Sequence, residues 1–222
     1  MGKLIVLEGT DGSGKATQTA RLLARLESEG VRCRKIEFPR YDEESSALIR
    51  MYLGGAFGDR PEDVGPYAAS TFYAVDRYAS YKQDWGNFYR DGGVVLSDRY
   101  TTSNAVHQGS KLEGEARRAF FAWLGDFEYR LMGLPEPDLV VYLDVPVEQT
   151  EQNMHARTEQ TGAKADIHER DAEYLRSCRL AAQEAAEQFG WEKIACTSGG
   201  AMRPVEAIHQ DIYEAVQAIL QR

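Results

Sequence analysis

The chain has 222 residues, enough for one α/β domain, and 43% of them are hydrophobic, enough for a packed core. With 35 acidic against 26 basic side chains the net charge is −9, which argues against a nucleic-acid or anionic-membrane binder. Any phosphate site must therefore be focused in a pocket. Cys33, Cys178 and Cys196 are odd in number and lie at no metal-ligand spacing, so they read as reduced thiols of a cytoplasmic protein. The N-terminus carries one lysine and a strand-length apolar run, which is neither a signal peptide nor a membrane span.

Strands are predicted at LIVLE (4–8), CRKIEF (33–38), VVLSD (94–98), DLVVYLD (138–144) and KIACT (193–197). The first, third and fourth are continuously apolar rather than alternating, as parallel strands covered on both faces are. Helical periodicity covers 14–29, 45–53, 67–90, 112–131, 147–160, 168–189 and 204–221. In the last, Val205, Ile208, Ile212, Val216 and Ile219 recur at steps of three and four, one stripe that packs on a sheet. Such alternation predicts a single α/β domain over 1–222 with right-handed crossovers. Two stretches read as loops: 54–66, and about 155–167, which lacks an apolar stripe and is a lid candidate.

Gly9, Thr10, Asp11, Gly12, Ser13, Gly14 and Lys15 fit G-x-x-x-x-G-K, between the first strand and the first helix. Glycines let backbone N–H groups converge on phosphate oxygens, the helix N-terminus adds positive potential, and Lys15 would reach the β- and γ-phosphates. The Ser or Thr that usually follows the lysine is Ala16, which cannot ligate Mg²⁺. Thr17 lies about 100° further round the helix and is no simple substitute. Mg²⁺ needs few protein ligands, so phosphates, water and a carboxylate such as Asp11 or Asp98 could hold it.

SDRY (97–100) closes the third strand. Asp98, at a strand's carboxyl end, suits a metal or an acceptor hydroxyl, and Arg99 suits a bidentate phosphate contact; a structural ion pair is the alternative. TTSNAVHQ then begins like a helix, with Thr101 or Thr102 as cap and Asn104 and Gln108 on one face at i, i+4. In FYAVDRY (72–78), Tyr73 and Arg77 are also i, i+4, a stacking face beside a guanidinium that would suit a pyrimidine. Alternatively, Tyr73 is core and Arg77 pairs with a carboxylate. FPRY (38–41) ends the second strand, where Phe38 and Pro39 stiffen the exit and Arg40 and Tyr41 are polar handles. No N-K-x-D motif of a guanine-specific switch occurs.

Together, D-G-x-G-K, F-P-R-Y, an aromatic three residues before D-R, and D-R-Y followed by S-N and Q-G resemble the thymidylate kinases, in that family's order and across essentially the whole chain. The resemblance implies a P-loop NTPase fold, a five-stranded parallel sheet flanked by helices with a lid segment. It also implies a Mg²⁺–ATP donor site, dTMP as acceptor and a homodimer. By that resemblance Lys15 and the loop hold the ATP phosphates, and Asp11 lies near the acceptor sugar or the metal. Arg99 holds the dTMP phosphate with Phe38, Arg40 and Tyr41. Tyr73 stacks on the base, Arg77 donates to thymine O4, and Asn104, Gln108 and Leu53 complete the substrate contacts.

Some members carry an arginine inside the phosphate loop, where this chain has Gly12. Others supply that cation from the lid, where Arg157 is the first candidate, then Arg170, with Lys164 also present. DIHERDAEY (166–174) resembles the family's D-x-x-E segment through Asp166 and Glu169. The departures are Ala16, Tyr73 where Phe is common, and His107 where many members have Tyr. Two other readings stay open: a deoxynucleoside kinase, and a nucleotide-binding regulatory module without turnover.

Overall fold

The computed structural model describes the backbone of residues 1–161 and 172–221 and the side chains of 1–154 and 173–221. Five parallel strands, β1 (Lys3–Glu8), β2 (Cys33–Glu37), β3 (Val94–Asp98), β4 (Leu139–Asp144) and β5 (Glu192–Ala195), form one sheet in the order β2-β3-β1-β4-β5. Alternate residues of β1 feed opposite cores, which is why its run is apolar throughout. Ile5 and Leu7 meet Leu22 and Leu26 of α1 (Lys15–Ser28), while Leu4 and Val6 face Trp85, Tyr100 and Leu134.

The remaining helices are α2 (Ala47–Leu53), α3 (Pro66–Ser80), α4 (Gly86–Arg90), α5 (Thr101–His107), α6 (Gly114–Gly125), α7 (Val147–Thr161), α8 (Ala172–Phe189) and α9 (Val205–Leu220). Ile208, Ile212 and Val216 of α9 join the same core as α1, as their spacing predicts. The stretch 67–90 is helical throughout, with a π-helical turn at Tyr81–Trp85 joining α3 to α4. A second π-helical turn, Asp126–Leu131, extends α6.

Three expectations need correction. Of two overlapping expectations, the helix over 147–160 is met by α7, which runs to Thr161, so the first part of the expected loop 155–167 is helical. The stretch Glu151–Thr161 contains no Gly or Pro and is rich in Glu, Gln, Met, Ala and Arg, and this propensity sustains a helix where no apolar stripe exists. The last strand stops at Ala195 instead of Thr197. Thr197–Ser198 (β6) pairs antiparallel with Ala201–Met202 (β7) around Gly199 and Gly200, whose φ values of 59° and 82° allow a tight hairpin turn. Finally, neither Thr101 nor Thr102 caps α5: the flanking residue is Tyr100, and no side chain caps it.

Strand β1 lies between β3 and β4, with the chain turning one way after β1 and the other after β3. The carboxyl ends of β1 and β3, in register at Leu7 and Asp98, therefore flank a topological switch point, where open α/β sheets bind ligands. Among the described residues no helix is long and apolar enough to cross a membrane.

Candidate active site

After β1 the chain wraps through Gly12 (φ 78°) and Gly14 (φ 90°), left-handed conformations that favour glycine. Lys15 folds back over this loop and its Nζ donates to the Thr10 carbonyl at 2.9 Å. Burial lowers the Lys15 pKa to about 8, helped by the nearby Arg99 charge and opposed by Asp11, Asp98 and Glu8. Ala16 and Thr17 are exposed on the first turn of α1, whereas the Ser13 hydroxyl is buried with no partner among the described residues. Gly12 also touches the root of α7. A Cβ there would collide with the Thr150 carbonyl oxygen, and Asn153 Nδ2 donates to the Gly12 carbonyl at 2.8 Å.

Across the switch point, Arg99 adopts φ 68°, the one positive φ outside glycine among the described residues. Its Nη2 meets Asp11 Oδ1 at 2.5 Å, and its Nη1 lies 2.9 Å from His107 Nε2, 3.4 Å from Ser103 Oγ and 3.9 Å from Glu8 Oε1. Burial works against the Arg99 charge, but the Asp11, Glu8 and Asp98 carboxylates outweigh it and hold the pKa above the usual guanidinium value. Glu8 is fully buried. It accepts hydrogen bonds from the Gly9 N–H (3.0 Å), Thr102 Oγ1 (2.8 Å) and Ser103 Oγ (2.8 Å).

Beside Arg99 opens a cavity of about 290 Å³, near the lower end of the range for small-molecule sites. It is lined by Asp11, Phe38, Pro39, Tyr41, Leu53, Tyr73, Arg77, Arg99, Tyr100, Ser103, Asn104, His107 and Gln108. Of the predicted acceptor residues, Arg40 and Asp98 are absent from this lining. Arg40 is turned onto the buried Asp76, with Nε 3.1 Å from Oδ1 and its own backbone N–H 2.9 Å from Oδ2. Asp98 ends β3 half-buried. The Phe38–Pro39 peptide is cis.

Arg77 is both a cavity wall and a member of a buried ion pair. Its Nε and Nη2 donate to Glu128 at 2.6 and 2.5 Å, and Thr101 Oγ1 donates to the same carboxylate at 2.8 Å. The hydroxyls of Thr101 and Thr102 thus serve buried carboxylates, which explains why neither caps the helix. Asn104 Nδ2 reaches the Ser70 carbonyl at 3.4 Å. Gln108 is fully buried, and neither end of its amide has a hydrogen-bond partner among the described residues.

Sequence reasoning missed Glu8, Asp76 and Glu128. For Glu128 a signal exists: it falls at 117, 121, 124, 128, the same stripe as buried Phe121 and Leu124, where a carboxylate needs a partner. Of the lid residues, Arg157 lies on α7, one turn beyond Asn153, with its side chain outside the described set; Lys164, Asp166, Glu169 and Arg170 lie outside the described residues. A larger groove of about 1110 Å³ runs between α6, β5 and α9, but it contains neither the glycine loop nor Arg99.

A family model described as thymidylate kinase matches residues 7–212. The thymidylate kinase of Mycobacterium tuberculosis (strain H37Rv) is 34% identical over 190 residues, 85% of this chain and 87% of that protein. That of Homo sapiens is 26% identical over 213 residues, covering 95% and 88%. In three dimensions the chain resembles a thymidylate kinase structure from Candida albicans with TM-score 0.71 at 19% identity, over 98% of this chain and 92% of that one, a likeness of fold. A glycine loop and an arginine-rimmed cavity facing each other across β1 and β3, inside a chain matched over nearly its whole length, make this protein a member of the thymidylate kinase family.

Proposed function

We propose that the chain transfers the γ-phosphoryl group of ATP to dTMP, giving dTDP for pyrimidine deoxynucleotide (dTTP) synthesis. The observation that carries this is the Gln108 amide, buried and without a partner in the wall of a cavity that also presents Asn104 and Arg77. An orphaned amide is costly unless a ligand satisfies it, and a pyrimidine edge offers both a donor and acceptors. Tyr73 supplies a face for the ring, Phe38, Pro39 and Leu53 supply apolar walls, and Arg99, with Tyr41 beside it, meets the acceptor phosphate. Arg40 is held by Asp76 behind the cavity wall, its charge compensated by that carboxylate.

The glycine loop and Lys15 hold the donor phosphates at the N-terminus of α1, and Arg99 aligns the acceptor anion opposite them. Catalysis is then chiefly positioning and charge neutralisation. The acceptor phosphate oxygen is already ionised near neutral pH, so no side chain has to remove a proton. Asp11 and Asp98 are hard oxygen donors whose charges oppose the Lys15 pKa drop, and they are the carboxylates that would hold Mg²⁺ in place of the hydroxyl missing at Ala16, with one Asp11 oxygen already tied to Arg99. When bound, that ion would neutralise the donor's phosphates. Arg157 follows Asn153 by one helical turn, and Asn153 touches the glycine loop, which supports Arg157 as the cation that closes on the transferring group.

Leu48 and Met51 on α2 and Tyr67, Val75 and Tyr78 on α3 are large apolar side chains left exposed, which supports a homodimer through this face. Its check is the mass in solution: a monomer that persists at micromolar concentration refutes it. The activity is tested by ADP release with dTMP, dUMP, dCMP and thymidine as acceptors. Turnover should require a 5′-phosphate and favour dTMP. Turnover confined to thymidine would favour a deoxynucleoside kinase, and ATP binding without turnover a regulatory module; either refutes the proposal.

A further inference from the structure

Arg99 can only donate hydrogen bonds, so the nitrogen 2.9 Å from its Nη1, Nε2 of His107, has to present a lone pair. A neutral imidazole with an open Nε2 carries its proton on Nδ1. Nδ1 lies 3.6 Å from Cys178 Sγ, within hydrogen-bonding range for sulfur, on α8. Burial pushes the Cys178 thiol up to about 12, so the sulfur stays a neutral thiol whose lone pairs can accept. The backbone is fixed as well: the His107 carbonyl accepts from Ser110 Oγ and from Tyr174 OH, each at 2.8 Å. His107 is thus held from α8 on one side and offers an acceptor to Arg99 on the other.

Arg99 needs such an acceptor. Asp11 draws its Nη2 and Glu8 lies 3.9 Å from its Nη1, so both carboxylates hold the guanidinium from the glycine-loop end of β1. A neutral acceptor at His107, from α5, ties Nη1, so the two terminal nitrogens of the guanidinium are held by Asp11 and His107, both in the cavity lining. We propose that His107, as the Nδ1–H tautomer fixed by Cys178, is a positioning residue that sets the orientation of Arg99 for the acceptor phosphate. The proposal rests on the reading of Arg99 as the residue that meets that phosphate.

The test has two parts on the full-length protein. Long-range ¹H–¹⁵N correlation spectra of the His107 side chain should show a neutral ring with its proton on Nδ1, retained in Cys178→Ser. A proton on Nε2, or a charged ring, overturns the proposal. Kinetically, His107→Phe should raise the KM for dTMP roughly tenfold or more while leaving the KM for ATP in place, and His107→Gln, which keeps an acceptor, should recover most of the loss. In an Arg99→Ala background the His107→Phe effect should vanish, because the two act as one unit. If it persists there, His107 touches the nucleotide directly and the proposal falls. If Arg99→Ala raises the KM for dTMP but His107→Phe does not, the proposal alone fails. If Arg99→Ala leaves that KM unchanged, the reading of Arg99 fails and the proposal with it.

Discussion

Lys15 is 6% exposed, and burial lowers its pKa to about 8 in the ligand-free protein, against 10.5 for an ordinary lysine. That difference corresponds to about 3 kcal/mol, at about 1.36 kcal/mol per pKa unit, for keeping the ammonium charged when buried and beside Arg99, after the partial compensation by Asp11, Asp98 and Glu8. ATP phosphates supply a further counter-anion, so in the complex the charged form is restored. Between the two pKa values, binding must take up a proton. Calorimetry with a non-hydrolysable ATP analogue, in buffers of different ionisation enthalpy, should find uptake near zero at about pH 7 and rising toward one proton by about pH 9. The kcat/KM for ATP, which reports the free enzyme, should fall about tenfold per pH unit above about 8 while kcat holds to higher pH.

Stability carries the same sign. The folded pKa lies below the unfolded one, so the ligand-free protein gains stability as pH rises from about 8 toward 10.5. Lys111, half-buried against Tyr52 OH and the Val64 carbonyl and also lowered to about 8, contributes to that trend. Proton uptake on ATP binding isolates Lys15, because the Lys111 ammonium is held by Tyr52 and the Val64 carbonyl rather than by the glycine loop. Lys15→Arg, charged throughout, should abolish the uptake. Uptake that survives in that variant, or is missing from the native protein, refutes the reasoning.

Gly12→Ala places a methyl group against the Thr150 carbonyl at a left-handed φ, so thermal unfolding should show a loss of more than about 1 kcal/mol, with kcat reduced; native-like values for both would mean the loop does not press on α7. Arg157→Ala should lower kcat about 10³-fold with ATP affinity nearly intact, and an unchanged kcat would move that role to Lys164 or Arg170. Glu128→Ala strands the Arg77 charge in the interior and should cost about 3–5 kcal/mol in urea denaturation. Replacing both partners, as Arg77→Met with Glu128→Leu, should restore much of the stability but still weaken dTMP binding; full binding in that double variant would confine Arg77 to a structural role.

Strands β1, β3 and β4 were legible because their buried runs are continuous, and the glycine loop was legible because its spacing sits between a strand and a helix. The cavity wall was accessible in part because Tyr73 and Arg77, and likewise Asn104 and Gln108, are four residues apart on helical segments and so share a face. What stayed hidden were the partners. Arg77 finds Glu128 at 51 residues' separation and Arg40 finds Asp76 at 36, and helical or strand periodicity carries no information about such pairings. Thr101 and Thr102 show the cost of local reasoning: a hydroxyl at a helix start suits a cap, but a buried carboxylate nearby is the stronger acceptor.

Glu8 has a consequence for how the two substrates sense each other. One of its oxygens fastens the amide of Gly9, at the start of the donor loop, and the other fastens two hydroxyls of the helix that walls the acceptor cavity. A ligand that displaces either half strains the bonds of the other, and any coupling of the two sites that results must act by the same factor in both directions.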